Sequence, residues 1–294
     1  RYASYELNPH LHPLYPTVVP AAPSDDSHSS PKLGIVVWPS DWLGAFYNYS
    51  EGYKAPEPSQ VNNGFSNLAF GYTSIANPDL KPESSQSNEI GLRVRNIEQL
   101  GATLSGEVVV FSIDARDFIS QQAVSGAGTA SDPLIYQYIN LTDVSIDGVE
   151  VRGQAKWDNG VSVRFAASTA EGKVRSGTNA ALESVDPAKL VTGVNYDDPS
   201  GVFGGQIVAT FVDGKDLGDV VATTAFRPPS FSIVDITAYW NVTEWATLRA
   251  GAFNVTDEKY WWWSDVRGLA SSSTTRDAYT QPGANYSASL TLKY

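Results

Sequence analysis

The ten residues GVEVRGQAKW, positions 148–157, alternate in character along their length. Val149, Val151, Ala155 and Trp157 fall on one side with Gly153 among them, while Glu150, Arg152, Gln154 and Lys156 fall on the other. Successive side chains of an extended chain point to opposite faces, so a period of two marks a strand with one apolar and one ionic face. The same pattern continues outward in both directions. Ile90, Leu92 and Val94 oppose Glu89, Arg93 and Arg95. Val161, Val163, Phe165 and Ala167 oppose Ser162, Arg164 and Ser168; Val234, Ile236, Ala238 and Trp240 oppose Asp235, Thr237 and Tyr239. The alternation weakens over residues 101–113, where Val108, Val109 and Val110 run together. Helical periodicity is nearly absent.

The segments between these stretches come in two sizes that alternate. Short ones lie near residues 37–42, 96–101, 157–160, 196–201 and 241–245; long ones lie near 8–30, 52–83, 117–144, 171–186, 212–230 and 261–285. The spacing predicts about twelve strands, each near the ten or so residues that a tilted membrane strand needs. Tight turns at one end and long polar loops at the other are expected of an antiparallel transmembrane β-barrel. Trp38, Trp42, Trp157, Trp240 and Trp245 sit at or beside the short segments, and Trp261, Trp262 and Trp263 open a long one. Indole rings favour the headgroup zone, so two aromatic belts would produce this distribution. A soluble β-sandwich is the competing architecture, but it gives no reason to place tryptophans at turns.

Composition narrows the function. The chain has 294 residues, 20 Lys+Arg against 32 Asp+Glu, a net charge of -12, and neither Cys nor Met. Without Cys there is no disulfide framework, thiolate metal site or Cys nucleophile. The negative charge disfavours a nucleic-acid partner. Aromatic residues, 12% of the chain, are too frequent for disorder. There is no apolar run of about 18 residues, hence no transmembrane helix. No HExxH, P-loop or GxSxG in a strand-turn-helix setting occurs, and an enzyme is not expected. The DVSID and SDD stretches resemble calcium loops only weakly, and no metal site is expected. The chain opens RYASYELNP, already in alternation, and is expected to be the carboxy-terminal piece of a longer protein. It closes YSASLTLKY, with Tyr286, Ala288, Leu290, Leu292 and Tyr294 alternating up to an aromatic end. Such an end resembles the assembly signal of bacterial outer-membrane proteins.

Six stretches carry a more specific likeness. YSEGYKAP (49–56), NPDLKPE (77–83), DGVEV (147–151), FNVTDEKYW (253–261), SDVRG (264–268) and YTQPG (279–283) occur in the order found in TonB-dependent outer-membrane receptors. The paired boxes, Tyr53, Lys54, Ala55, Pro56 and Asn77, Pro78, Asp79, Leu80, together with the SDVRG and YTQPG ending, resemble the haem and haemoglobin receptor branch. The resemblance implies that residues 1–294 are about the last twelve strands of a roughly twenty-two-stranded barrel. The plug domain, the TonB-contact segment and the first strands would then lie outside this chain. It also implies location in the bacterial outer membrane, surrounded by lipid. The partners would be the plug of the same full-length protein, TonB through the absent amino-terminal part, and haem or a haem-carrying protein. Haem would be the transported ligand, with no permanently bound cofactor. A receptor for a siderophore or another scarce ligand, a passive porin, and a secreted adhesive β domain are the alternatives.

Haem capture needs an axial ligand, which His or Tyr can supply. The branch typically places a histidine between the two boxes, but here residues 57–76 contain none, and Tyr72 is the strong oxygen donor of that loop. Tyr72 could equally pack within the loop or touch a partner protein. His10, His12 and His28 all lie in the first long segment, with His10 and His12 forming an H-x-H pair amid prolines. They are candidate ligands or solvated loop residues. The ionic sides of the strands, represented by Arg93, Arg95, Glu150, Arg152 and Arg164, are expected to face a shared lumen, because Arg or Lys in mid-bilayer costs roughly 2–4 kcal/mol.

Overall fold

Alternating sequence becomes sheet throughout. The computed structural model describes residues 1–8, 23–127, 129, 131–140, 143–175 and 180–293. Its strands are β1 (Tyr2–Leu7), β2 (Ser24–Ser29), β3 (Lys32–Val37), β4 (Leu43–Lys54), β5 (Ser66–Asn67), β6 (Tyr72–Ile75), β7 (Glu83–Gln99), β8 (Ala102–Arg116) and β9 (Ile119–Ser125). They continue as β10 (Leu134–Asn140), β11 (Val144–Trp157), β12 (Val161–Val174), β13 (Lys189–Asp197), β14 (Phe203–Val212), β15 (Phe231–Thr243), β16 (Ala246–Phe253) and β17 (Asn285–Leu292). Two four-residue helices, α1 (Pro58–Val61) and α2 (Trp263–Val266), lie in the connections. No helix among the described residues is long and apolar enough to cross a membrane, which says nothing about strands.

Eleven strands form one sheet in the order β17-β16-β15-β14-β13-β12-β11-β8-β7-β4-β3, every neighbouring pair antiparallel. The sheet is not closed: β3 and β17 are its two ends. The short links β3–β4, β7–β8, β11–β12, β13–β14 and β15–β16 gather at one end of this meander and the long links at the other. Tight closure at the turn end is local chemistry. In the β11–β12 turn Asn159 Oδ1 accepts the amide of Val161 at 3.1 Å, and Gly160 has φ 90°, where a β-carbon would collide with the Asp197 carbonyl.

The first long segment differs from its expected form. Residues 24–29 are strand, not loop, and pair with β1 in a separate two-stranded sheet, Tyr2 opposite Ser29 and Leu7 opposite Ser24. β2 reaches β3 through Ser30 and Pro31, and the Glu51 amide bonds to the Pro31 carbonyl at 3.0 Å. The count of about twelve therefore corresponds to the eleven-stranded sheet plus β1, held through the β2–β3 strand. A second departure is a four-stranded sheet, β5-β6-β10-β9, built from the connections β4–β7 and β8–β11, in which β6 and β10 run parallel. The DVSID stretch enters β11 and is not a calcium loop.

The main sheet separates its faces as the alternation requires. One face carries Ile90, Leu92, Val194, Ile207, Trp240 and Leu290, all more than half exposed, and no other layer of the described residues covers them. The opposite face carries the ionic side chains. Where Val108, Val109 and Val110 run together, Val109 shares that second face with Phe111, opposite Glu150 and Gly148. The Phe111 ring lies against Gly148, and a β-carbon there would overlap it, so the pair fills the site as a side-chain pair does elsewhere.

Buried apolar side chains gather at the loop end in three clusters rather than between layers. Val220, Phe226, Trp261, Trp263 and Val266 form one; Val61, Leu80 and Ile119 another; Val212, Phe231, Ile233 and Tyr260 the third. This corrects part of the belt expectation. Trp261 and Trp263 are core residues, 8% and 3% exposed, and Trp262 packs on Phe231 and Tyr260. Trp38 lies against Gly44 beneath the Arg95 guanidinium, 3.7 Å from its ring. Trp42, Trp240 and Trp245 remain exposed near the turn end.

Candidate binding face at the loop end

The sequence boxes turn out to be the stems of the long loops. Asn77 donates its amide to the Val61 carbonyl at 3.0 Å and its Nδ2 to the Tyr138 carbonyl at 2.7 Å, while its Oδ1 accepts the amide of Asp79 at 3.1 Å. Pro78 cannot donate, so the turn offers no competing amide there. Leu80, 4% exposed, packs on Val61 and Ile119. Lys54 of the other box pairs with Glu83 at 3.6 Å, and Glu83 also accepts the amide of Ile119 at 2.8 Å. Asn140 completes the bracket: its Oδ1 accepts from Lys81 N, and its Nδ2 donates to the carbonyls of Lys81 and Asp117 at 2.8 and 2.7 Å. Glu83 closes the NPDLKPE box, whereas Asn140 is functional in this sense and was not singled out by sequence reasoning. A lone Asn in INLTD carries no local signal.

The FNVTDEKYW box does the same for the last loop. Asn254, 3% exposed with φ 46°, donates Nδ2 to the carbonyls of Glu258 and Pro282 at 2.8 and 3.2 Å, and its Oδ1 accepts the Glu258 amide at 2.9 Å. The Asn254 amide itself donates to Asp235 at 2.8 Å. SDVRG and YTQPG meet through Gln281 Nε2 and Asp265 Oδ2 at 3.0 Å.

Above these stems stand the candidate ligands. Tyr72 opens β6 after Gly71, whose φ is 72°. Its ring lies between Phe65 at 6.0 Å and Tyr136 at 6.3 Å, and its hydroxyl accepts from Asn67 Nδ2 at 3.4 Å. Phe65 and Leu68 beside it are more than half exposed. His28 sits on β2, stacked on Tyr53 at 5.0 Å with 5° between planes, its Nε2 3.8 Å from Glu51. That nitrogen and the Tyr53 hydroxyl have no hydrogen-bond partner among the described residues. His28 and Tyr72 belong to different sheets. His10 and His12 lie outside the described residues, as does Tyr294. Among the described residues no group of three or more His, Asp or Glu could hold a metal ion.

The loop clusters carry cations at their edges. Burial lowers the Lys215 ammonium from its ordinary range, against the opposing pull of Asp219, Asp186 and Glu183; its Nζ donates to the Val185 carbonyl at 2.8 Å and lies 5.3 Å from the Trp263 ring. Burial, then Asp235, raises the Tyr260 hydroxyl. The hydrogen bond from Lys259, at 3.1 Å, leads the lowering of Asp277.

On the ionic face Glu107 is the hub. Its carboxylate, 9% exposed, takes Arg152 at 2.7 Å on one oxygen and Arg93 on the other. Arg164 donates to Gln206 at 2.7 Å, and Arg95 to the Asp41 carbonyl at 3.0 Å. Glu150 shares the face two positions from Arg152 and is exposed. Glu107 was another residue missed by sequence reasoning, because the three valines after it obscure the alternation.

An uncovered apolar face, an ionic face behind it, and every long connection at one end define part of the wall of a β-barrel. Residues 1–255 match the family described as TonB dependent receptor-like, beta-barrel, and the chain belongs to that family, one of outer-membrane receptors and not of enzymes. It is 24% identical over 305 residues to transferrin-binding protein A of Neisseria meningitidis serogroup B, covering 89% of this chain and 32% of the relative. It is 25% identical over 277 residues to hemoglobin and hemoglobin-haptoglobin-binding protein A of Haemophilus influenzae, covering 87% of this chain and 25% of the relative. The fold is that of the Serratia marcescens hemophore receptor HasR, solved with its hemophore HasA and heme: TM-score 0.70 at 15% identity, over 100% of this chain and 46% of that one. The chain thus spans a quarter to a third of these curated relatives' length.

Proposed function

We propose that this chain is the carboxy-terminal barrel portion, residues 1–294, of an outer-membrane receptor that takes up haem or haem-protein-borne iron with energy relayed by TonB. The plug domain and the earlier strands would belong to the same full-length protein. The observation that carries the receptor reading is the separation of faces: an apolar side suited to lipid, and an ionic side, with Arg93, Arg95, Glu150, Arg152 and Arg164, suited to a lumen filled by a plug. The haem reading is supported by the hemoglobin-binding relative and by the boxes that bracket the Tyr72 loop. Tyr72 or His28 would supply the axial ligand, with His10 and His12 as further candidates.

Titration of the full-length protein with haem tests it. A Soret shift that is lost in Tyr72→Phe or His28→Ala identifies the ligand, and no shift at all refutes haem. The transferrin-binding relative, together with the absence of histidine between the boxes, favours a second reading: capture of iron held by another carrier. Uptake of a haem-free iron carrier would decide for it, and conductance without TonB would decide for a passive channel.

A further inference from the structure

The connection between β14 and β15 presents an apolar tip. Leu217 and Val221 are 53% and 64% exposed, while Val220 between them is buried with Phe226, Trp261, Trp263 and Val266. The tip is held from several sides. Asp216 N donates to Asp219 Oδ2 at 2.9 Å and closes the short turn that carries Leu217. The Val221 amide donates to Glu183 Oε1 at 2.7 Å, and Lys215 Nζ to the Val185 carbonyl at 2.8 Å, so the β12–β13 connection braces it. Exposed apolar side chains on a braced segment lose little freedom when a partner covers them. The charges beside the tip are mostly acidic. Asp186, Asp213, Asp216 and Asp219 line the adjoining cleft and make no ion pair among the described residues. Lys215 is turned inward, 5.3 Å from the Trp263 ring, which leaves Arg227 as the other cation of the lining.

We propose that this tip docks a protein that delivers the iron or haem: a carrier whose contact face offers an apolar hollow rimmed by Lys or Arg. Span decides against a small ligand. Tyr72 sits on the connection between β4 and β7, and five strand spacings separate β7 from β14. At about 4.8 Å each, in a wall tilted by about 40°, that is roughly 30 Å. A haem or small chelate held at Tyr72 does not reach Leu217. A protein interface of about 800 Å² per partner is a patch roughly 30 Å across, and covers both. Leu217 and Val221 then fill the hollow as anchors, and the carboxylates steer the basic rim toward them. The inference rests on the reading of the chain as part of an uptake receptor, but not on haem being the cargo.

The test is surface plasmon resonance of the full-length protein in nanodiscs against haemoglobin and transferrin, the carriers for which two relatives are named, with a haemin titration in parallel. The wild type should bind at least one carrier, and more weakly as salt rises. Leu217→Asp with Val221→Asp should raise the Kd for that carrier about thirty-fold or more and leave the haemin titration unchanged. Leu100→Asp, at an exposed leucine of the turn end, should leave both unchanged. Should the double Asp variant lose stability in vesicles, Leu217→Gln with Val221→Thr carries the same test. An unchanged Kd in the double variant overturns the proposal, as does carrier binding that salt does not weaken. A wild type that binds neither carrier also overturns it, and a Soret shift in that same protein leaves the haem reading intact. A carrier held through Leu217 and Val221 by a protein that gives no Soret shift supports the proposal and refutes haem.

Discussion

Ile207 and Asn195 are partners in register on adjacent strands by one step, since Asn195 pairs with Gln206. Their side chains point to opposite faces, which makes them a controlled comparison. Ile207 is midway between Phe203 and Phe211 on β14 and is 52% exposed. Four residues at about 3.3 Å each, tilted by about 40°, put it roughly 10 Å deep from either end of the apolar band. Arginine at that depth costs about 2–4 kcal/mol, the upper figure reduced where the side chain reaches the headgroups. Ile207→Arg should therefore lower the folded-to-unfolded ratio by roughly 30- to 1000-fold. Asn195→Arg places the same charge on the ionic face, where Asn195 already donates to Asp197 at 2.6 Å. Its cost should stay within about 0.5 kcal/mol, the usual range for a surface change. Urea equilibrium of the full-length protein in lipid vesicles, followed by tryptophan fluorescence, measures both. Equal costs for the two variants, or a larger cost for Asn195→Arg, would mean that the apolar face does not meet hydrocarbon.

Asn254→Ala removes the carboxamide that closes the last loop and leaves a non-glycine residue at φ 46° without its bonds. The loop should lose about 3 kcal/mol of local stability, read as faster hydrogen exchange at the Glu258 amide, and Asn254→Gly should recover only the backbone part. Asp277 has a lowered folded value, so its contribution is present above the ordinary carboxylate range and is lost as pH falls through the folded value. Lys259 and Arg276, the cations beside Asp277, lie 5.4 and 6.0 Å from the Trp261 ring, so acidification should loosen them from it; the Trp261 emission change should be absent in Asp277→Asn. Gly148→Val meets the Phe111 ring and the Thr169 carbonyl and should cost about 1–3 kcal/mol in vesicle unfolding, whereas Gly218→Ala, with open space around it, should be silent.

The strands were legible because their cause is local. A residue on β11 or β15 faces lipid or lumen according to odd or even position alone, and no distant partner changes that. The sequence was less informative wherever a distant partner decides. Residues 24–29 read as loop because SDDSHS has no apolar alternation; they are strand because the Tyr2–Leu7 edge pairs with them through backbone bonds. Trp261 and Trp263 have the composition of a belt, but Val220 and Phe226 arrive from another segment and, with Val266 of α2, bury them. Glu107 looked unremarkable beside three valines, and only the register with Arg93 and Arg152 makes it a hub.

The same division explains why the family was easier to read than the cargo. The boxes that carry the likeness are the residues that fasten loops to the wall: Asn77 to Tyr138, Glu83 to Ile119, Asn254 to Pro282. Fastening is needed whatever the loop holds, so a stem motif speaks more for the barrel than for the ligand. The residues free to differ between receptors are the ones above the stems, Phe65, Leu68, Tyr72 and Tyr136, set on the small sheet that the stems support. A change of cargo would then be read there and not in NPDLKPE. Grafting residues 62–76 from a receptor of known ligand, with Asn77, Asn140 and Glu83 retained, should transfer binding without altering vesicle unfolding. If instead binding follows the stems when they are exchanged alone, the ligand is recognised at the wall, and the loop sheet is only its cover.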